Sequence, residues 1–215
     1  CNRKINDYLA KIMQTEYLQM EEQYGCIIPL CDVCSFSKER ISASEIDSSN
    51  YYSTENILPN KAGVTSPSSI PQSGNVTKCK RGDTIISNIR PYFKKIHYCS
   101  NESTCSTDVL CFTPNNPKFA SFLYVSLYND RFFDYVMVGS KGTKMPRGDK
   151  DQIMKYLVPD VNSNDVNITL DGWNNILNKI HNNELVNIEL NRLRDLLLPK
   201  LMSGEIDVSN LDLCC

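Results

Sequence analysis

Few residues are spaced for chemistry. Cys31-Asp-Val-Cys34 has the two-residue gap that lets two thiolates share one metal ion, and Cys26 stands near enough to be weighed as a third ligand. No second pair of cysteines or histidines follows at zinc-finger distance, and His97 and His181 lie in unrelated segments. Gly139-Ser-Lys-Gly-Thr-Lys144 has the composition of a phosphate loop. It lacks the G-x-x-x-x-G-K-[ST] spacing and the strand–loop–helix order that would make it one. Neither histidine has a nucleophile motif beside it, and both a glycine-rich cofactor loop and an acidic methyltransferase motif are absent. The expectation is a chain that does no catalysis, binds no metal and holds no cofactor of its own.

The charge pattern is more informative. Net charge is −2, which taken alone argues against a polyanion. Yet Lys78–Lys150 holds twelve Lys/Arg against six Asp/Glu, so this span is +6 and the remainder −8. Such segregation matters more to a nucleic acid than the total does. Arg90, Lys94 and Lys95 surround Tyr92 and Phe93, and Lys141, Lys144, Arg147 and Lys150 line a glycine-punctuated stretch. Backbone near glycine can approach phosphates closely, and lysines there supply salt-sensitive binding. Arginines and small hydroxyl side chains can read base edges. Arg90, Lys94, Lys95, Lys141, Lys144 and Arg147, with Lys38, Arg40, Ser140 and Thr143, form the candidate DNA-contact set. The bland reading, solvated charge on ordinary loops, holds for any one of them and weakens for the group.

Helices and strands must position those segments. Asn2 to about Gly25 has helical spacing at Ile5, Leu9, Ile12, Met13 and Met20, and a partner helix is the favoured cover for that seam. From Cys26 to Pro159 short apolar runs alternate with Pro, Gly, Ser and Asn clusters. Cys26–Leu30, Thr84–Ile89 and Val109–Phe112 read as strands, Asn60–Asn75 as a long loop, and Phe119–Tyr128 with Asp130–Val138 as one or two helices. Most of the ten cysteines sit among apolar residues and read as small buried hydrophobes in a reduced, intracellular chain. A polar linker, Asp160–Asn167, leads to a last helix capped by Thr169 or Asp171. Trp173, Leu177 and Ile180 begin its apolar face, and Val186, Leu190, Leu193 and Leu197 continue it at spacings of 4, 3 and 4. From about 171 to 202 it would span roughly 45–50 Å, with Pro199 kinking or fraying its end. A coiled-coil arm fits this better than a helix lying on its own sheet. No apolar run of membrane-spanning length occurs. The start at Cys1, without methionine or signal-like segment, fits a piece of something longer.

Several of these stretches resemble one family. Lys4-Ile-Asn-Asp-Tyr-Leu9, Pro29-Leu-Cys-Asp-Val-Cys-Ser-Phe-Ser-Lys38, Gly82-Asp-Thr-Ile-Ile-Ser-Asn-Ile-Arg-Pro91, Gly142-Thr-Lys-Met-Pro146 and Leu196-Leu-Leu-Pro-Lys-Leu-Met-Ser-Gly-Glu-Ile206 follow in that order. Together they are similar to the specificity subunit of type I restriction–modification systems, and in particular to its C-terminal half. The resemblance implies an α+β chain: one mixed α/β target-recognition domain (26–160) between a helix (1–25) and a long helix (168–207) forming a coiled-coil-like arm. It implies reading one half of a bipartite double-stranded DNA target and docking methyltransferase subunits, with the restriction subunit joining indirectly. S-adenosylmethionine, ATP and magnesium would belong to those partners, in the cytoplasm. With one recognition domain in place of two, a homodimer is expected through Leu9, Ile12, Leu177, Ile180, Val186, Leu190, Leu193 and Leu197. Two other classes remain open: a coiled-coil adaptor whose basic domain binds protein or RNA, and a small zinc enzyme using Cys26, Cys31 and Cys34.

Overall fold

The computed structural model describes residues 2–160 and 166–206. Helix α1 (Asn2–Tyr24) is followed by β1 (Cys26–Pro29), α2 (Leu30–Val33), β2 (Cys34–Phe36), β3 (Arg40–Ser42), β4 (Tyr51–Tyr52) and β5 (Asn75–Cys79). Next come β6 (Thr84–Ser87), β7 (Ile96–Tyr98), β8 (Ser103–Cys105) and β9 (Val109–Pro114). The chain continues through α3 (Ala120–Tyr128), α4 (Asp130–Val138), α5 (Lys150–Ile153), β10 (Leu157–Pro159) and α6 (Val166–Met202). The class is α+β, as expected. Gly25 ends α1 at φ 70°, and its amide still reaches the Glu21 carbonyl at 2.9 Å.

Three sheets form. One is antiparallel in the order β2-β9-β6-β7; a second runs β3-β5-β8-β4 with its last pair parallel; β1 and β10 pair alone. The first sheet is buried on both faces, and the two-residue period of its strands sorts side chains between two cores. Ile86, Leu110 and Phe112 face the larger, helix-covered core, whereas Ile85, Val109 and Cys111 face a smaller one with Ile57 and Cys79. Cys99 and Cys105 complete this second core, so four of its seven residues are cysteine and act as compact hydrophobes.

The larger core draws on every long helix. Ser121 through Leu127 of α3 are all buried, which is why FASFLYVSLY reads as nearly continuous apolar sequence. The stripe that α1 buries is Ala10, Met13, Tyr17 and Met20. Ile5 and Ile12, expected in the seam, are exposed, and Leu9 is half-buried. The cover over α1 is helical, as expected, and comes from its own chain: α6 runs beside it, and on α3 Tyr17 packs on Phe122 and Gln14 reaches the Val125 carbonyl.

Helix α6 departs from expectation at its start. Thr169 and Asp171 lie inside it, so neither caps it, and residues 161–165 of the expected linker lie outside the described residues, as does Asp207. Helix α6 runs antiparallel to α1: Asn183 donates to the Asn6 side chain at 2.7 Å, and the Trp173 indole donates to Glu16 at 2.5 Å. Counting four residues back from Asn6 and four on from Asn183 puts Asn2 opposite Asn187. Residues 188–202 therefore run on beyond the described start of α1. The helix continues only to Met202 past Pro199, whose missing amide costs one bond of the last turn.

Leu170, Trp173 and Leu177 belong to the large core, with Ile180 packed against it. Leu177 is 2% exposed, so it cannot serve a second copy, and Ile180 is largely spent in the same way. Val186, Leu190, Leu193 and Leu197 are 38–56% exposed. The first half of the helix thus packs on its own domain, through α1 and α3 rather than on a sheet, and the second half leaves its leucines exposed. Replacing Trp173 by Ala should cost about 3–5 kcal/mol, the range for large buried aromatics. Urea unfolding followed by circular dichroism measures this, since the substitution removes the chain's one tryptophan.

Candidate nucleic-acid interface

Two basic segments far apart in sequence are joined by backbone hydrogen bonds. Strand β6 leads into a single 3-10 turn, Pro91–Phe93. The Arg90 amide donates to the Pro146 carbonyl at 2.8 Å, and Ile89 bridges Arg147. Lys141 and Arg147 exchange both backbone bonds, at 2.9 and 3.0 Å, closing the 142–146 loop into a hairpin-like tip. Gly142 supplies a φ of 96° for that turn. Gly148 holds the base down, because an added Cβ would meet Val136 at 2.8 Å and Ile153 at 2.9 Å.

The ten expected contact residues divide by what they touch. Lys94 pairs with Asp130 at 2.9 Å, Lys141 with Asp149 at 2.6 Å and Arg147 with Asp108 at 3.2 Å. The Lys95 ammonium donates to the Thr54 carbonyl, and the Ser140 hydroxyl to that of Met137. Arg90, Lys144, Lys38 and Arg40 form no ion pair among the described residues, and Thr143 is exposed on the tip. Lys38 and Arg40 flank the β2–β3 connection, and no hydrogen bond links them to the turn or the tip. The turn and the tip thus form one surface, with these two residues on another segment.

Sequence reasoning missed Lys61, which shares Asp130 with Lys94 and whose amide donates to the Lys94 carbonyl at 3.0 Å. Those bonds hold Asp130 below the usual carboxylate range, while burial lowers Lys61. Nothing local announces a partner so far along the chain. These pairs are mostly exposed and weak, so phosphate oxygens can compete for the same cations.

Where α6 crosses the domain, a cleft of about 590 Å³ opens between α1, α6 and β7. His97 on β7 and Glu184 on α6 meet in its wall, Nδ1 to Oε2 at 3.7 Å, too long for a hydrogen bond. Glu184 also presses on Gly63, where an added Cβ would lie 2.6 Å from its Oε1. Burial pushes Glu184 up to about 7, and burial with nearby His181 pushes His97 down to about 3. His97 stays neutral over the range in which Glu184 changes its proton, so the contact is no ion pair, and the histidine Nε2 has no hydrogen-bond partner among the described residues.

The three cysteines weighed as metal ligands do not converge. The Cys34 thiol donates to the Leu30 carbonyl at 3.5 Å, Cys31 turns to Asp32, and Cys26 donates to Glu21, burial raising Cys26 to about 11. Among the described residues no group of three His, Cys, Asp or Glu is placed to hold a metal ion, and no helix is long and apolar enough to cross a membrane.

No family model and no curated protein matches this chain. Solved structures do. An S subunit of a type I restriction–modification system from M. genitalium superposes at a TM-score of 0.58 and 18% identity, over 93% of this chain and 54% of that one. The HsdS subunit of Thermoanaerobacter tengcongensis gives 0.51 and 18%, over 86% and 50%. A structure describing assembly and conformational transition of the type I R-M system gives 0.55 and 18%, again over 86% and 50%. The chain has the fold of these subunits and spans about half their length.

The buried pair makes a pH prediction. The fold favours protonated Glu184, whose contribution is complete below about pH 4.5 and is lost as pH rises through about 7. Neutral His97 contributes above its usual 6.5, and that is lost as pH falls toward 3. Glu184→Gln keeps the neutral form at every pH. Its stability relative to wild type should therefore rise by roughly 2–3 kcal/mol between pH 4.5 and 8, read by denaturant unfolding at each pH.

Proposed function

We propose that this chain belongs to a non-catalytic DNA-specificity subunit of a type I restriction–modification complex, with residues 26–160 as a target-recognition domain. The observation that carries this reading is the joined surface of Arg90–Lys95 and Lys141–Arg147, set on a domain with the S-subunit fold. That surface offers unpaired Arg90 and Lys144, plus cations whose exposed acidic partners a phosphate can displace. Under this reading the domain reads one half of a bipartite target, and the helices dock methyltransferase subunits. Those partners bring S-adenosylmethionine, and the restriction subunit brings ATP and magnesium chemistry.

The same reading assigns a second copy to the exposed leucine face of α6. Leu190, Leu193, Leu197 and Leu201 run along the part of the helix that α1 does not accompany, and Ile5, Tyr8 and Ile12 of α1 are exposed too. A two-fold pairing of two such arms would bury both sets and hold two recognition domains apart.

Methylome sequencing of cells expressing the chain with its cognate methyltransferase subunit is the direct test. A methylated adenine motif that disappears without the chain supports the reading, and an unchanged methylome sinks it. Arg90→Ala and Lys144→Ala should each lower the slope of log affinity against log salt by about one. Sedimentation should find a dimer at tens of micromolar that Leu190→Glu with Leu197→Glu converts to a folded monomer. A wild-type monomer at that concentration would end the two-copy proposal.

A further inference from the structure

The turn after β6 carries more strain than a DNA-contacting lysine loop requires. Arg90 (φ 51°, ψ 64°) and Lys94 (φ 50°, ψ 47°) are both left-handed, at either end of the Pro91–Phe93 turn. Neither is glycine, so each position carries a backbone penalty that side chains with a Cβ rarely accept. The strain is held from several sides. Pro91 is buried, the Phe93 and Lys94 amides close the turn on the Arg90 and Pro91 carbonyls at 3.0 and 2.8 Å, and Asp130 grips Lys94. Lys95 is tied to Thr54 and Lys61 to the Lys94 carbonyl.

All this fixes two aromatic rings in solvent. Tyr92 is 46% and Phe93 38% exposed, with ring centroids 4.7 Å apart and planes at 52°. Across the Arg90–Pro146 bond stands Met145, also exposed. An exposed aromatic pair on a pre-ordered turn, flanked in the chain by Arg90 and Lys94 and joined through the Pro146 carbonyl to the loop that carries Lys144 and Arg147, is a poor match to water and to a neutral protein groove. It matches a duplex, whose phosphates meet the cations and whose base steps accept a flat apolar side chain.

We propose that Tyr92 and Phe93 form a wedge that enters the base stack of the bound DNA and unstacks a step. The proposal rests on the DNA-binding reading above and adds a distortion to it. Pre-ordering suits the task, since a ring already fixed loses little conformational freedom on insertion. Partial unstacking would also lessen the cost of extruding a nearby base for a methyltransferase partner.

The test uses the full chain and 30-base-pair duplexes with 2-aminopurine at successive positions, each with and without one central mismatch. Wild type should raise 2-aminopurine fluorescence several-fold at saturation. It should bind the mismatched duplex about tenfold more tightly, because a weakened step is cheaper to open. Tyr92→Ala with Phe93→Ala should lose both effects and keep the salt dependence set by the cations. Both side chains are exposed, and an unchanged thermal melt checks that the variant folds. Fluorescence that wild type leaves unchanged, or that the double variant still raises, overturns the wedge. In a parallel pull-down with the methyltransferase subunit, a double variant that keeps both DNA effects and loses that subunit makes the rings a protein contact and likewise overturns the wedge. If wild type binds no duplex at all, the DNA-specificity reading itself fails, an outcome distinct from binding without unstacking.

Discussion

The arm and the domain share one hydrophobic core, and the rest of the structure depends on that. Trp173 and Leu177 of α6 lie in the same cluster as Met13 and Tyr17 of α1, Phe122 of α3, and Ile86 and Phe112 of the first sheet. Each such side chain stabilises by about 1.5–3 kcal/mol when buried. Swinging α6 away would expose several at once and leave Glu16 and Asn6 without their partners. The arm is therefore no tether. The position of Arg90 and the tip loop relative to the exposed leucines is fixed by the same packing that folds the domain. His97 and Glu184 add a polar contact to that joint, one whose proton content changes near neutrality.

Most elements were legible because their periodicity is local. Val109-Leu-Cys-Phe112 alternates between two cores, and FASFLYVSLY is buried almost all round, so both advertise burial in sequence. What failed was the assignment of faces. Of the α1 seam written in Ile5, Leu9, Ile12, Met13 and Met20, the fold buries the two methionines with Ala10 and Tyr17 and leaves Ile5 and Ile12 exposed. Helix α6 shows the same limit. Its apolar positions run unbroken from Trp173 to Leu197, yet the first half is spent internally and the second is not. The boundary falls where the packing of α6 on α1 and α3 ends among the described residues, which no pattern inside α6 records.

The basic segments were legible as charge and illegible as chemistry. Arg90 to Lys95 and Lys141 to Arg147 are conspicuous in sequence, and the fold brings them together through Pro146. Their acidic partners are not conspicuous: Asp130 lies 36 residues from Lys94, and Asp108 39 from Arg147. Asp108, Asp130 and Asp149 are already counted in the +6 of the span, so the pairs relocate its free charge without lowering the total. Of the expected contacts, Arg90, Lys95, Lys144, Lys38 and Arg40 form no ion pair among the described residues. Close pairs also restrain the side chains at the surface. A phosphate that replaces a carboxylate then finds a cation already in place, and the net gain per contact is small.

Small gains per contact shape what such a domain can do alone. A handful of displaceable cations gives weak, salt-sensitive affinity, and weak affinity becomes useful when two sites are joined rigidly. Under the proposed reading the helical arm supplies that joint, and its rigidity follows from the shared core. Helix α6 spans 37 residues, about 55 Å at 1.5 Å per residue. A helix changes length in turns if its faces are to stay in register, and one turn is 5.4 Å, close to the rise of one and a half base pairs. The separation of two recognition domains on such arms can then take only certain values. The spacer between half-sites would be set by arm length, independently of the side chains that read bases.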